Sequence, residues 1–147
     1  MDYELIYQEC DSFIDKEMPT YSVLANISAV LNQIEDINWC GFYLVQGDEL
    51  YLGPFQGEVA CMLIEKGRGV CGTAFEKAKT IIVPNVHEFS GHIACSCKSR
   101  SEIVTPIIKD GKVVGVIDID SPSYDRFHEE EKILLEKIAD LLSGLKY

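Results

Sequence analysis

Six cysteines stand at positions 10, 40, 61, 71, 95 and 97. In a reducing compartment such thiols are usually buried, catalytic or metal-bound rather than paired in structural disulfides. Cys95 lies in the run Gly91-His92-Ile93-Ala94-Cys95-Ser96-Cys97-Lys98. A thiol in a glycine- and histidine-containing loop, with Lys98 and Arg100 nearby, is a candidate nucleophile. Zinc is the competing chemistry, drawn from Cys95, Cys97 and His92 with Cys61 or Cys71. Paired cysteines of structural zinc sites are usually spaced by two to four residues, and C-x-C is tighter than that, so no metal site is expected. His87 and His92 are read as loop residues satisfied by hydrogen bonds. Cys71 closes a glycine-rich stretch, Gly67-Arg68-Gly69-Val70-Cys71-Gly72, near a predicted helix start that would lower its pKa.

The carboxylates form a second group. Period two along the strand predicted over residues 113–120 puts Val114, Val116, Asp118 and Asp120 on one face. Acids following two valines read as the polar end of a buried surface, and equally as two exposed aspartates ending a strand. In a partly dry cleft one of two neighbouring acids stays protonated near neutrality and can serve as a proton donor. Glu102 is a third candidate acid. With Asp110-Gly111 as a two-residue turn, Glu102 falls opposite Ile119, on the face without the aspartates. A bulge, for which Pro106 is the cue, would bring it round. The third group is aromatic. Trp39, Gly41, Tyr43 and Val45 share one face of the strand over residues 38–45, with Gly41 leaving a gap fit for a pocket wall. The plainer reading makes Trp39 and Tyr43 core residues. Cys40 on the opposite face is a packed thiol.

The elements that must position these residues are legible in part. Leu5, Ile6, Cys10, Phe13 and Ile14 repeat at helical spacing, and Pro19 breaks the pattern. Thr20 or Ser22 is the expected cap of a second helix, with Val23, Leu24, Ile27, Val30, Leu31 and Ile34 as its apolar stripe. A strand over 50–52, a buried strand over 59–64, a short helix over 73–77 and a strand over 80–83 follow. Residues 84–100 show no period, and a loop of that length in a compact domain is usually functional or disordered. Residues 103–108 and 113–120 read as a hairpin about Asp110-Gly111. Leu134, Ile138, Leu141 and Leu145 mark one face of a C-terminal helix, with Glu129, Glu130 and Glu131 in its first turn. Helices at both ends of a hairpin-rich middle imply an α+β fold.

The chain of 147 residues fits a single domain, 47% hydrophobic and 25% charged. Thirteen basic against 24 acidic residues give a net charge of -11. That excludes non-specific binding to nucleic acid or an anionic membrane, since both demand a basic patch. The acidic N-terminus is no signal peptide and no apolar run spans a bilayer, so a cytoplasmic location is expected. The G-x-G-x-x-G lettering at 67–72 is not read as a dinucleotide site, because its surroundings are hairpin-like rather than βαβ.

Taken together, Asn38-Trp39, Gly41-Phe42-Tyr43-Leu44, residues 52–57, residues 67–72, Gly91-His92-Ile93-Ala94-Cys95, Ser101-Glu102-Ile103-Val104 and residues 115–120 closely resemble the free methionine-R-sulfoxide reductases, stand-alone GAF-domain enzymes. The resemblance implies a GAF-like fold over residues 1–147 as one domain, with an antiparallel sheet of about six strands flanked by N- and C-terminal helices. It implies reduction of free L-methionine (R)-S-oxide to L-methionine with no bound cofactor, recycling by thioredoxin (or dithiothreitol in vitro), and a homodimer. It implies Cys95 as nucleophile, Cys61 as resolving thiol and Cys71 as the third family cysteine. It assigns Glu102, Asp118 and Asp120 as the acids, which also bind substrate, and Trp39 and Tyr43 as the aromatic wall. One departure is local: Ser96 follows the nucleophile where the family usually has an aspartate, which favours the Cys95 thiolate. Cys97 is an extra thiol, read as idle. The competing function is a non-catalytic GAF sensor module that binds a small ligand; it would need the pocket but not the pair of thiols.

Overall fold

The computed structural model describes residues 1–91 and 98–147. Helices α1 (Tyr3–Ser12) and α2 (Thr20–Leu31) lead into strands β1 (Trp39–Gln46), β2 (Glu49–Gln56) and β3 (Leu63–Glu65). Helix α3 (Gly69–Lys77), strand β4 (Ile81–Val83) and a 3-10 turn (Val86–Glu88) follow. Strands β5 (Ser101–Lys109) and β6 (Lys112–Ser121) form a hairpin, and α4 (Glu129–Leu142) closes the chain. The six strands make one antiparallel sheet in the order β3-β2-β1-β6-β5-β4. This is the α+β architecture expected from the sequence.

The sheet separates two apolar layers. On one side α1, α2 and α4 pack against Cys40, Phe42, Ile103, Ile107, Ile117 and Ile119. On the other, α3 covers Trp39, Tyr43, Val104 and Val116. The period-two split of β1 therefore holds: Trp39 and Tyr43 face α3, while Cys40 and Phe42 face the helical layer. All six apolar positions of the α2 stripe are buried. Its start differs from expectation, since neither Thr20 nor Ser22 caps it. Pro19 is the N-cap, and the Thr20 hydroxyl instead donates to the Lys146 carbonyl. In α4, Leu142 rather than Leu141 completes the buried face, and Leu145 is buried just beyond the helix end. No helix of the described residues is long and apolar enough to cross a membrane.

Three local readings are corrected. Strand β2 runs to Gln56, well past Leu52. Residues 59–62 are not a buried strand: Val59 and Met62 are 88% and 77% exposed, and β3 begins only at Leu63. Val59 and Ala60 line the rim of a pocket, and Ala60 and Cys61 pack only partly against the core. Helix α3 begins four residues before Thr73, so the glycine-rich stretch is a turn plus the first helical turn. The carbonyl of Glu65 would lie 2.5 Å from a Cβ at position 72, so Gly72 permits close packing of α3 on the strand before it.

The β5–β6 hairpin decides the site. Asp110 and Gly111 both take positive φ, 52° and 77°, as a primed two-residue turn requires. Lys109 pairs Lys112 and Ile108 pairs Val113, but Ile107 pairs Gly115. Val114 is thus an extra residue on β6, a β-bulge. One inserted residue exchanges the two faces for every pair beyond it. Glu102 consequently lies opposite Asp120, not Ile119, and Val104 opposite Asp118. The bulge sits beside Ile107 and Ile108 rather than at Pro106.

Candidate active site

A pocket opens between the sheet and the N-terminal end of α3. Trp39 and Tyr43 from β1 form one wall, while Cys71, Glu102, Asp118 and Asp120 contribute the polar end. The sequence reading named all six, and the structure brings them together. Val59 and Ala60 form the rim, with Ile64 beside them and Arg68, Gly69 and Val70 at the head of α3.

The aromatic wall is both core and pocket. Trp39 and Tyr43 are buried, yet each lines the cavity. The Trp39 ring stacks on Phe55 with centroids 5.2 Å apart and on Tyr43 at 6.1 Å. The gap expected at Gly41 is closed. Gly41 pairs Phe55 across the β1–β2 ladder, and a Cβ at 41 would lie 2.3 Å from the Phe55 Cβ. Gly41 therefore admits a neighbouring strand, not a ligand. The polar tips of the wall strap the rim segment: Trp39 Nε1 donates to the Glu58 carbonyl at 3.0 Å, and Tyr43 Oη to the Cys61 carbonyl at 2.8 Å.

The acids are dry. Glu102 and Asp118 are 7% and 6% exposed. Asp120 is more open as a residue, but its Oδ1 is buried. Burial holds the Glu102 carboxyl well above the usual carboxylate range, reinforced by the charges of Asp118 and Asp120 and by hydrogen bonds to both. Asp118 is raised by burial against hydrogen bonds from Glu102 and Cys71. Asp120 is raised well above its ordinary value by burial and by Asp118, opposed by hydrogen bonds from Glu102 and Ser99. Three close carboxyls in a dry site cannot all ionise, so the cluster retains a proton at neutral pH. Glu102 is the member with most to gain from holding it, because its proton is donated to charged neighbours.

Cys71 departs from expectation. It stands in the first turn of α3, where the helix dipole alone would favour a thiolate. Burial first, then Asp118 and Glu102, push its pKa well above the ordinary thiol value instead. Its Sγ and carboxylate oxygens of Glu102 and Asp118 lie within 4.8 Å of one another, spacing that a metal ion would also accept. The zinc alternative drew on His92, Cys95 and Cys97, which lie outside the described residues. Cys40, expected to be a packed thiol, is fully buried with its pKa pushed up to about 12 by burial. Cys10, on the same side of the sheet, is likewise raised to about 12.

Cys95, the expected nucleophile, and Ser96 beside it also lie outside the described residues. Cys61 is disulfide-bonded, while Cys10, Cys40 and Cys71 are free thiols. Sequence reasoning missed Ser99 and Asn38. Ser99 Oγ donates to Asp120 Oδ2 at 3.1 Å and accepts from Asn38 Nδ2 at 3.3 Å. Nothing in the sequence marks Ser99. Asn38 had two available signals, its place in the Asn38-Trp39 motif and its position directly before Trp39, which pairs with Asp120. Arg68 was missed as a residue of the pocket because the stretch was weighed only as a glycine motif.

A GAF domain family model matches residues 21–144. Free methionine-R-sulfoxide reductase of Escherichia coli K12 is 44% identical over 141 residues, covering 95% of this chain and 86% of that protein. A reduced-form structure of fRMsr from Staphylococcus aureus is 48% identical, with a TM-score of 0.92 over 97% of this chain and 93% of that one. The free methionine-R-sulfoxide reductase of Neisseria meningitidis, solved in complex with its substrate, is 43% identical with a TM-score of 0.92, covering 96% and 86%. Similarity of this extent in both sequence and backbone, joined to a buried acid cluster beneath an aromatic wall, means that the chain belongs to the free methionine-R-sulfoxide reductase family of GAF-domain proteins.

Proposed function

We propose that this protein reduces free L-methionine (R)-S-oxide to L-methionine, using Cys95 as nucleophile and Cys61 as resolving thiol. The observation that carries the reading is the pocket itself: a proton-retaining cluster of Glu102, Asp118 and Asp120 facing Trp39 and Tyr43. A sulfoxide sulfur is electrophilic, but its oxygen leaves poorly unless protonated. The Cys95 thiolate attacks sulfur while Glu102 gives its proton to the oxygen. The oxygen passes to Cys95 as a sulfenic acid, and methionine departs as the thioether. The Cys61 thiol then attacks the sulfenic sulfur, forming a disulfide and releasing water. That Cys61 is held in a disulfide supports its role as a thiol that forms one. Cys71 stays protonated beside Asp118 and holds that carboxylate by a hydrogen bond.

The same pocket fits a free amino acid. Asp118 and Asp120 each keep a buried Oδ1 with no hydrogen-bond partner among the described residues, two acceptors suited to an ammonium group. Gly69 and Val70 open α3, where the first N–H groups have no carbonyl within the helix. Together with Arg68 they suit an α-carboxylate. Trp39 bounds the methyl end, where sulfur–aromatic contact contributes about 1 kcal/mol. We take residues 1–147 as one GAF domain that works without a bound cofactor or metal, as a cytoplasmic homodimer, with thioredoxin reducing the disulfide.

The test is racemic free methionine sulfoxide incubated with the protein and dithiothreitol, with methionine followed by chromatography. Conversion that stops near half the racemate is the expected result. No methionine formed by protein with all six thiols reduced would overturn the proposal in favour of a ligand-binding sensor. Sedimentation of the purified protein tests the dimer, and replacement of dithiothreitol by thioredoxin with its reductase tests the reductant.

A further inference from the structure

Asp120 is gripped from two sides by residues that no step of the proposed chemistry uses. The backbone N–H of Asn38 donates to the Asp120 carbonyl at 2.9 Å, placing the Asn38 side chain beside the strand end. Ser99, 4% exposed, is tied down by its neighbour Arg100, whose N–H donates to the Ser121 carbonyl at 2.7 Å. Between them run the two side-chain hydrogen bonds, Asn38 Nδ2 to Ser99 Oγ and Ser99 Oγ to Asp120 Oδ2.

The direction of this chain is set by proton counting. A serine hydroxyl has one proton to give. Asn38 presents its amide N–H to Ser99, so that proton goes to Asp120. The opposite amide orientation would let Asn38 Oδ1 accept the hydroxyl proton, but Asp120 Oδ2 would lose its donor. In the arrangement present, Asn38 Oδ1 is buried with no hydrogen-bond partner among the described residues.

We infer that Asn38 and Ser99 are positioning residues, a one-way hydrogen-bond chain that fixes Asp120 as an acceptor and leaves its Oδ1, with Asp118 Oδ1, to receive the primary ammonium of an amino-acid substrate. The inference rests on the proposed reductase reading for the identity of that substrate. It also divides labour within the acid cluster: Glu102, raised by both aspartates, is the member that holds a proton most readily, while the Ser99 hydroxyl favours the ionised form of Asp120 against its burial. The titratable groups that interact with Asp120 are Glu102 across the ladder on β5, Asp118 on its own strand, Cys71 from the head of α3, and Tyr43 and Cys40 from β1. None of these is a cation, so the neutral hydroxyl of Ser99 is the donor that supports the ionised form of Asp120 beside Glu102.

The experiment compares Ser99→Ala, Ser99→Thr and Asn38→Ala with the wild type in two readouts. The first is a pH titration of aspartate side-chain carboxyl carbons by NMR on the resting, reduced protein, with the Asp120 signal assigned through Asp120→Asn. Loss of a hydrogen bond to a charged acceptor is expected to raise the proton affinity of Asp120 in Ser99→Ala by about tenfold. Ser99→Thr, which keeps the hydroxyl, restores the wild-type titration, and Asn38→Ala shifts it the same way by less. The second is steady-state reduction of methionine sulfoxide with dithiothreitol, where Ser99→Ala raises KM by about tenfold with kcat changed less than about threefold. An unmoved Asp120 titration in both Ser99→Ala and Asn38→Ala, or a fall in kcat at constant KM, would overturn the inference. So would failure of Ser99→Thr to restore either readout. The titration needs no substrate. Wild-type protein that makes no methionine therefore sinks the reductase reading, while the titration still judges the chain.

Discussion

Glu102→Gln should make the protein more stable and less active, with the gain in stability growing as pH rises. In the unfolded chain Glu102 ionises near its ordinary value of 4.5, and burial with two neighbouring aspartates raises it well above that in the fold. Between those two values the folded chain binds more protons than the unfolded one. Stability from this group is therefore full below about pH 4.5 and is lost as pH rises toward the folded value. The loss is about 1.4 kcal/mol per pH unit. If Glu102 keeps its proton up to neutrality, the cost at pH 7 reaches about 3 kcal/mol relative to a side chain that does not titrate. Coulomb's law gives a similar scale: two unit charges no more than 4.8 Å apart repel by at least about 3.5 kcal/mol at an effective dielectric of about 20. Glutamine keeps the shape and a donor but carries no ionisable proton. Urea unfolding of wild type and variant should coincide near pH 4 and diverge toward pH 7, the variant being more stable by up to about 3 kcal/mol. Loss of the proton donor should lower turnover by about 10²–10⁴-fold in the chromatographic assay. Parallel stability curves across pH 4 to 7 would refute the assignment of the retained proton to Glu102. A variant with wild-type turnover would refute its role as acid.

Three further outcomes follow from the same geometry. Cys95→Ser should abolish methionine formation while leaving L-methionine binding measurable by calorimetry; a variant that still turns over would remove Cys95 from the mechanism. Tyr43→Phe deletes the hydrogen bond to the Cys61 carbonyl; a loss of about 1 kcal/mol in urea unfolding is expected, and no loss would mean that the rim segment is held without it. Gly72→Ala drives a Cβ to 2.5 Å from the Glu65 carbonyl, backbone that cannot swing aside. It should cost about 1–3 kcal/mol, read as a lower midpoint in the same titration.

The parts of this protein that the sequence determined are those governed by local periodicity. Alternation along β1 separated Trp39 and Tyr43 from Cys40 and Phe42, because successive side chains on a strand must point to opposite faces. The same rule put Asp118 and Asp120 on one face, and Asp110-Gly111 marked the hairpin because its positive φ angles suit few other pairs. The α2 stripe was legible for the equivalent reason at helical period. Motif lettering across most of the chain pointed to the family, which pattern physics alone would not have reached.

What only the tertiary structure decided lies between elements. Glu102 joins the aspartates because one extra residue, Val114, reverses the register of the ladder, and no periodicity within either strand records an offset between them. The gap at Gly41 is filled by Phe55 of the next strand, which is invisible from β1 alone. A helix start that should sharpen the Cys71 thiol instead buries it against two acids from distant strands, and desolvation with like charge outweighs the dipole. Ser99 and Asn38 are 61 residues apart, and only the folded chain brings their side chains together at Asp120. Side-chain direction within one element is set by local geometry, whereas the proton held at this site depends on which charges meet after the elements pack.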